Sequence, residues 1–531
     1  MRLIIKEYIL QLKEKDELDE LLSELFVQKG YIADNQPKTG NRQFGVDIQL
    51  HNDKELLLLV VKQGDITRDV WDGNKNAVRP SLDEIKDVAI KALTYEELQK
   101  KIRIIVATNG RKDEATRANW SGYVNDNQRW NQIPIEISFM GIDEIVKEIV
   151  DNFFNEYLFE VPLHSAMRKA LYFVGEGEYK RGYYEQIVDS IIGKIKESGS
   201  NKKKFNKACS TLYLASQMIC QFAHDEGIVK TAIMVSEYVV IRYWKYLVEA
   251  DKLEKKSEVE WLIKFCKSYE RWNEIYVDKI ARIAKKEIIL PNYNVVENRV
   301  LLYEILGCLS SYCNYLLEFN CGRAKDVLNI IVALLNEYPY FVYAPYDSSI
   351  GIMIMIYKIF YHYNRIDEIG EIMERQLGVL MRFYVWQGKF PAPSDSFEEA
   401  MKIENKSDEV NYDVSAFWGY SLLLMHQFKC MELYAVLNKF LKQNLSSVTK
   451  CTWFLRKDEE LALYNPWAMN LAGEGIEVPV EDDFNKFQNG VKFILEQYRD
   501  EAFSFDEYSF SSLEILICHY YGYIPRVKFN K

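Results

Sequence analysis

The tripeptide Gly45-Val46-Asp47 is followed, a strand and a turn later, by an apolar run that closes on a lysine, Leu58-Leu59-Val60-Val61-Lys62. One carboxylate and one ammonium on neighbouring strands are what metal-assisted hydrolysis of a phosphodiester needs. A hard cation such as Mg²⁺ (or Mn²⁺) prefers oxygen ligands, so an inward-facing aspartate is a natural anchor. The bound cation holds the phosphate and lowers the pKa of the attacking water. A lysine beside it orients that water and offsets charge building on the phosphorane. Taken singly, each residue has a plainer reading. Gly-x-Asp is often a turn whose aspartate caps a backbone amide, and a strand-end lysine is commonly solvated.

Asp47 and Lys62 can meet only if paired strands carry them. Residues 44–50 alternate as a strand does, Asn52-Asp53 supplies a hairpin turn, and 55–62 is apolar on both faces like a central strand. Alternation then gives Val60 the face of Lys62 and turns Val61 and Gln63 away. Upstream, residues 18–26 space their apolar side chains as a helix, which Gly30 ends. Downstream come a helix over 81–98, a strand over 101–108 closed by Asn109-Gly110, a helix over 113–130, a strand over 135–140 and a closing helix over 142–150. The order α-β-β-α-β-α-β-α predicts an α/β domain, residues 1–152, with a mixed sheet flanked by helices.

In its order of motifs this stretch resembles the PD-(D/E)xK nuclease superfamily, and most of all its Mrr-type restriction endonuclease branch. The residues that carry the likeness are Leu18-Asp19-Glu20 through Gly30-Tyr31, then Gly45-Val46-Asp47, then Val60-Val61-Lys62, and later Ile104 to Gly110 with Glu114-Ala115. The resemblance implies a restriction-endonuclease-like fold. It makes Asp47 the principal metal ligand, Lys62 the catalytic lysine, and Asp19 or Glu20 the helix carboxylate. The backbone carbonyl of Val61 joins the ligand set, Mg²⁺ or Mn²⁺ is the cofactor and DNA the substrate. One departure stands out: Val60 occupies the position where the family places Glu, Asp or Gln. Either the helix carboxylate takes over, or Asp65 or Asp69 moves in, or the fold is kept without cleavage.

Residues 63–80 form a polar loop with Arg68, Lys75 and Arg79 around Trp71. These are candidate phosphate contacts for DNA; equally, the loop is a solvated one that Trp71 anchors to the core. Lys202-Lys203-Lys204 and Lys207 read as a solvated linker.

With 531 residues the chain exceeds one core, so at least two domains are expected. A formal charge of −11 excludes a generally basic nucleic-acid binder, and DNA contact needs a local basic surface. Charges at the N-terminus interrupt any secretory signal, and the longest apolar runs, 56–61 and 350–357, fall short of the roughly 20 residues that span a bilayer. Nine cysteines without a Cys-x-x-Cys pair read as reduced thiols, so the expectation is a cytoplasmic protein off the membrane.

From 153 to 531 strand signals almost vanish and amphipathic helices follow one another, which predicts an all-α, α-solenoid-like helical array with a candidate split near 291. No clean repeat period emerges. Its many tyrosines, Tyr238, Tyr243 and Tyr246 among them, fit core packing first and a ligand groove second. A nuclease joined to such an array suggests a sensor or scaffold that binds a trigger or partner protein, or forms a homo-oligomer. An anti-phage or restriction-type defence effector would be built this way, an expectation from architecture alone.

Overall fold

A computed structural model describes residues 2–35, 44–130, 133–152, 161–175, 181–287, 295–338, 347–387, 413–464, 474–499, 502–505, 508 and 510–527. Packing divides the chain into two units, Met1–Ile228 and Val229–Lys531.

In the first unit, α1 (Arg2–Ile9), a π-helical turn (Glu14–Leu18) and α2 (Asp19–Gln28) precede three strands, β1 (Ile32–Asn35), β2 (Ile48–His51) and β3 (Glu55–Lys62). Then come α3 (Arg68–Asp72), α4 (Val78–Glu84), α5 (Tyr95–Leu98), β4 (Lys101–Thr108), α6 (Glu114–Asp126), β5 (Arg129–Trp130), β6 (Ile133–Met140) and α7 (Ile142–Asn152). The strands form one mixed sheet in the order β1-β2-β3-β4-β6-β5. β1, β2 and β3 run antiparallel, whereas β3, β4 and β6 are parallel. This bears out the expected mixed sheet flanked by helices.

β3 is central because all its residues from Leu56 to Lys62 are buried. Leu56, Leu58 and Val60 pack with Trp71, Val78, Leu82 and Ile85 from the helices after β3. Burying each such aliphatic side chain contributes roughly 1.5–3 kcal/mol. The bounds of β3 and β4 fall where the apolar runs put them. The edge strands β1 and β5 were not expected; at four and two residues they are too short to show alternation. The helix expected over 81–98 begins at Val78 and breaks at Leu93, whose extended backbone lets Thr94 cap α5 through a capping box with Glu97.

The first unit does not stop where the sheet ends. Three further helices, α8 (Val161–Gly175), α9 (Arg181–Glu197) and α10 (Lys202–Asp225), belong to it, and α10 packs on α1, α8 and α9. The change of class near 152 is therefore one of secondary structure, while the packing unit runs to Ile228. Lys202, Lys203 and Lys204, read as linker, open α10 behind the cap Asn201.

The second unit is mostly helical: α11 (Val229–Glu249), α12 (Lys256–Ala284), α13 (Val295–Phe319), α14 (Cys321–Glu337), α15 (Ile350–His362), α16 (Ile366–Gln387), α17 (Ala416–Phe428), α18 (Met431–Asn444), α19 (Phe484–Tyr498) and α20 (Leu513–Tyr521). A small three-stranded sheet, β7 (Val414–Ser415), β8 (Thr449–Phe454) and β9 (Glu474–Glu477), departs from an all-α region. Tyr238, Tyr243 and Tyr246 are buried, as core packing requires. Glu297–Phe319 is long and apolar enough by composition to cross a membrane, with 78% of its most apolar window buried inside the protein. The candidate split near 291 lies outside the described residues.

Candidate functional site

Asp47 sits in the bend that enters β2. Gly45 permits that bend: its φ is +81°, and a Cβ there would stand 2.3 Å from the carbonyl oxygen of Ser81. The Asp47 amide donates to the Leu59 carbonyl at 2.8 Å, which extends the β2–β3 ladder by one step. Its side chain turns back onto β3, where Oδ2 accepts the Val61 N–H at 2.7 Å. The plainer reading of Gly-x-Asp, an aspartate capping a backbone amide, is thus realised by one carboxylate oxygen.

Lys62, the last residue of β3, is 9% exposed, so it is not a solvated strand-end lysine. Its Nζ donates to Glu14 Oε1 at 3.4 Å. Asp47 feels both groups. Burial pushes its carboxyl above the usual range, the Lys62 ammonium and the Val61 N–H pull it back, and Glu14 raises it again. Asp47, Lys62 and Glu14 therefore form one electrostatic cluster where the β2–β3 hairpin meets the π-helical turn.

That turn is held on the sheet by Asn109. Its Nδ2 donates to the carbonyls of Ile9 and Leu12, both at 2.9 Å, and its Oδ1 accepts the Gly64 N–H at 2.7 Å. Gly110 lets the two strand ends cross closely, since a Cβ there would lie 2.2 Å from the carbonyl carbon of Gly64. The Thr-Asn-Gly signature at the end of β4 thus fixes where Glu14 begins.

The helix acid of the cluster is Glu14, which the sequence reading did not name. Asp19 is 4% exposed and its Oδ1 accepts the N–H groups of Glu17 at 3.1 Å and Glu20 at 2.8 Å. Glu20 is exposed in the first turn of α2. Among acids it is Glu14 whose charge bears on Asp47. The run Lys13-Glu14-Lys15-Asp16-Glu17 resembles an ordinary solvated charge stretch. Its one telling mark is that buried leucines, Leu12 and Leu18, bracket it.

Other expected members stand elsewhere. Val61 meets Asp47 through its N–H. Asp65 is engaged by the Arg111 N–H at 2.8 Å, and Asp69 lies exposed in the first turn of α3. Val60 is fully buried in the apolar cluster with Leu82 and Ile85. Arg68, Lys75 and Arg79 are exposed, Arg79 pairs with Asp72 at 3.2 Å, and none of the three is among the charges acting on Asp47. Trp71 anchors their segment, 2% exposed and edge-on to Trp120 and Tyr123.

Among the described residues no group of three or more His, Cys, Asp or Glu side chains is gathered as a metal cage. Mg²⁺ does not need one, because it keeps several waters and is commonly held by one or two carboxylates together with substrate phosphate. Asp47 and Glu14 are the two carboxylates from which a donor set of that kind could be drawn. The comparisons with known proteins add no neighbour: no family model, no curated protein and no solved structure matches the chain.

Proposed function

We propose that the first unit is a metal-dependent DNA endonuclease with a restriction-endonuclease-like core, centred on Asp47, Lys62 and Glu14. The observation that carries this reading is the Lys62–Glu14 contact at the end of β3, with both charges acting on the Asp47 carboxyl. The element order supports it as well: a helix, three antiparallel strands, then β4 and β6 parallel to β3, in keeping with the family resembled. Asp47 and Glu14 would hold Mg²⁺ or Mn²⁺, which when bound supplies phosphate binding and an acidified water. Lys62 balances the carboxylates in its absence and presents an ammonium to the scissile phosphate. The second unit, in this reading, is the sensor or scaffold of a defence effector, binding a trigger protein or a second copy of the chain.

Purified full-length protein should nick plasmid DNA with Mg²⁺ or Mn²⁺, with the trigger added if needed. Asp47→Ala, Lys62→Ala and Glu14→Gln should each abolish or strongly reduce nicking. Activity that survives all three substitutions sinks the assignment.

Val60 favours a second reading. A fully apolar residue at the family's second acidic position suits a fold that binds nucleic acid or a partner without cutting. It predicts DNA binding that Lys62→Ala leaves unchanged, with no cleavage in any metal.

A further inference from the structure

The segment that presents Glu14 is gripped from two sides. On the sheet side, Asn109 holds the Ile9 and Leu12 carbonyls, and Gln63 Nε2 adds a bond to Leu12 O at 3.1 Å. On the other side stands α10, outside the α/β portion. Gln11 Nε2 donates to Ser210 Oγ at 2.8 Å, and Lys207 Nζ pairs with Glu17 Oε1 at 2.6 Å. Lys207 and Ser210 are three residues apart on a helix and so share a face.

Glu17 is the keystone of this arrangement. While Oε1 takes Lys207, Oε2 accepts the Lys13 N–H at 2.7 Å, which closes the π-helical turn over its own start. Glu14 is the first residue of that turn. The ion pair is well shielded, with side-chain exposures of 19% for Lys207 and 15% for Glu17. Shielded pairs lose far more than exposed ones when one partner goes, because a charge is left poorly solvated. In the same basic run Lys202, Lys203 and Lys204 are exposed, so Lys207 alone of the four is turned inward to this pair. Single-turn π-helical segments are also found often at functional sites.

We propose that Lys207 is a positioning residue: through Glu17 it sets the π-helical turn and so the place of Glu14 beside Asp47 and Lys62. The inference rests on the reading of Glu14 and Asp47 as the metal-holding carboxylates. It makes α10 part of the frame of the centre, so that any partner displacing α10 would loosen the metal site without touching it.

The test is Mn²⁺ affinity of the full chain, measured from the free-ion electron paramagnetic resonance signal, with thermal unfolding followed on the same samples. Loss of an outer partner of a metal ligand commonly weakens metal affinity by about 10-fold or more, and Lys207→Ala should do so. Glu17→Gln keeps an acceptor for the Lys13 N–H but drops the ion pair, and should weaken binding as much. Lys207→Arg restores the pair and should recover most of the affinity. Folded Lys207→Ala protein that binds Mn²⁺ like the wild type overturns the proposal, as does a loss that Lys207→Arg fails to recover. If the wild type shows no Mn²⁺ binding sensitive to Asp47→Ala, the metal reading itself has failed and this inference goes with it.

Discussion

Each packing unit holds an acid beside a cation, half-buried in the first and fully buried in the second, and the two differ in how fully the acid is satisfied. In the second unit Glu237 of α11 is 0% exposed and accepts from His519 of α20 at 2.8 Å, while Ser311 of α13 donates to its other oxygen at 3.2 Å. Tyr269 shares a hydrogen bond with Ser311, and Cys308 is close enough to His519 to bear on its charge. The order thiol, imidazole, carboxylate is that of a cysteine hydrolase triad. Cys308, however, is 1% exposed, so the group is sealed from any substrate. It is a structural pin joining three helices. In the first unit Asp47 has an amide and a neighbouring ammonium, while the Glu14 side chain beside it keeps 32% of its surface exposed. A charge fully matched inside the fold holds the fold together. A charge left under-matched near a surface is available for chemistry.

Removing the pin should cost most. Although burial opposes its charge, the Glu237 carboxylate and Cys308 hold the His519 pKa up at about 10. His519→Ala leaves Glu237 buried without its counter-charge, a change worth about 3–5 kcal/mol. Hydrogen exchange should show the loss in α11, α13 and α20, with β3 and β4 unaffected. A folded-state pKa raised above the unfolded value means the stabilisation is full below about pH 6.5 and fades as pH climbs towards 10. A denaturant midpoint for the second unit that does not fall between pH 7 and 10 would contradict this.

Val60→Glu tests the other side of the comparison. From sequence, restoring an acid to the family's position looks like a way to raise activity. In the fold, that carboxylate would enter a cluster with Leu82, Ile85 and Trp71, where an unpaired charge costs about 3–5 kcal/mol. The expected result is a destabilised first unit and no gain in nicking; a rise in nicking at unchanged stability would mean that Val60 borders the centre after all.

Much of this was legible in the chain, for reasons that also explain the rest. β3 and β4 were readable because eight-residue apolar runs bounded by turns leave little choice, and Asp47 and Lys62 because motif order pairs them. Glu14 was not, since its role comes from Asn109 reaching 97 residues back to Leu12, a contact with no local mark. The sealed pin was equally hidden: Glu237 and His519 are 282 residues apart, and a histidine near the end of a helix carries no sign of its partner. Periodicity reports local structure and burial. It does not report which charge a fold will bring to which.

The smallest effect expected is the most discriminating. Asp47→Asn keeps an oxygen for the Val61 N–H and removes a carboxyl whose charged form burial disfavours. Because the folded pKa of Asp47 is raised, the native state holds its proton more tightly than the unfolded chain does. Stability is therefore greatest below the unfolded pKa and falls as pH rises through the folded one. Asp47→Asn should accordingly gain up to about 1 kcal/mol at neutral pH and lose that advantage in acid, while nicking disappears. Mn²⁺ should then raise the unfolding midpoint of the wild type and leave that of the variant where it is, since a ligand stabilises only the state that binds it. An Asp47→Asn protein less stable than wild type at neutral pH would make the carboxylate a structural pin like Glu237. The contrast between the two units would then dissolve.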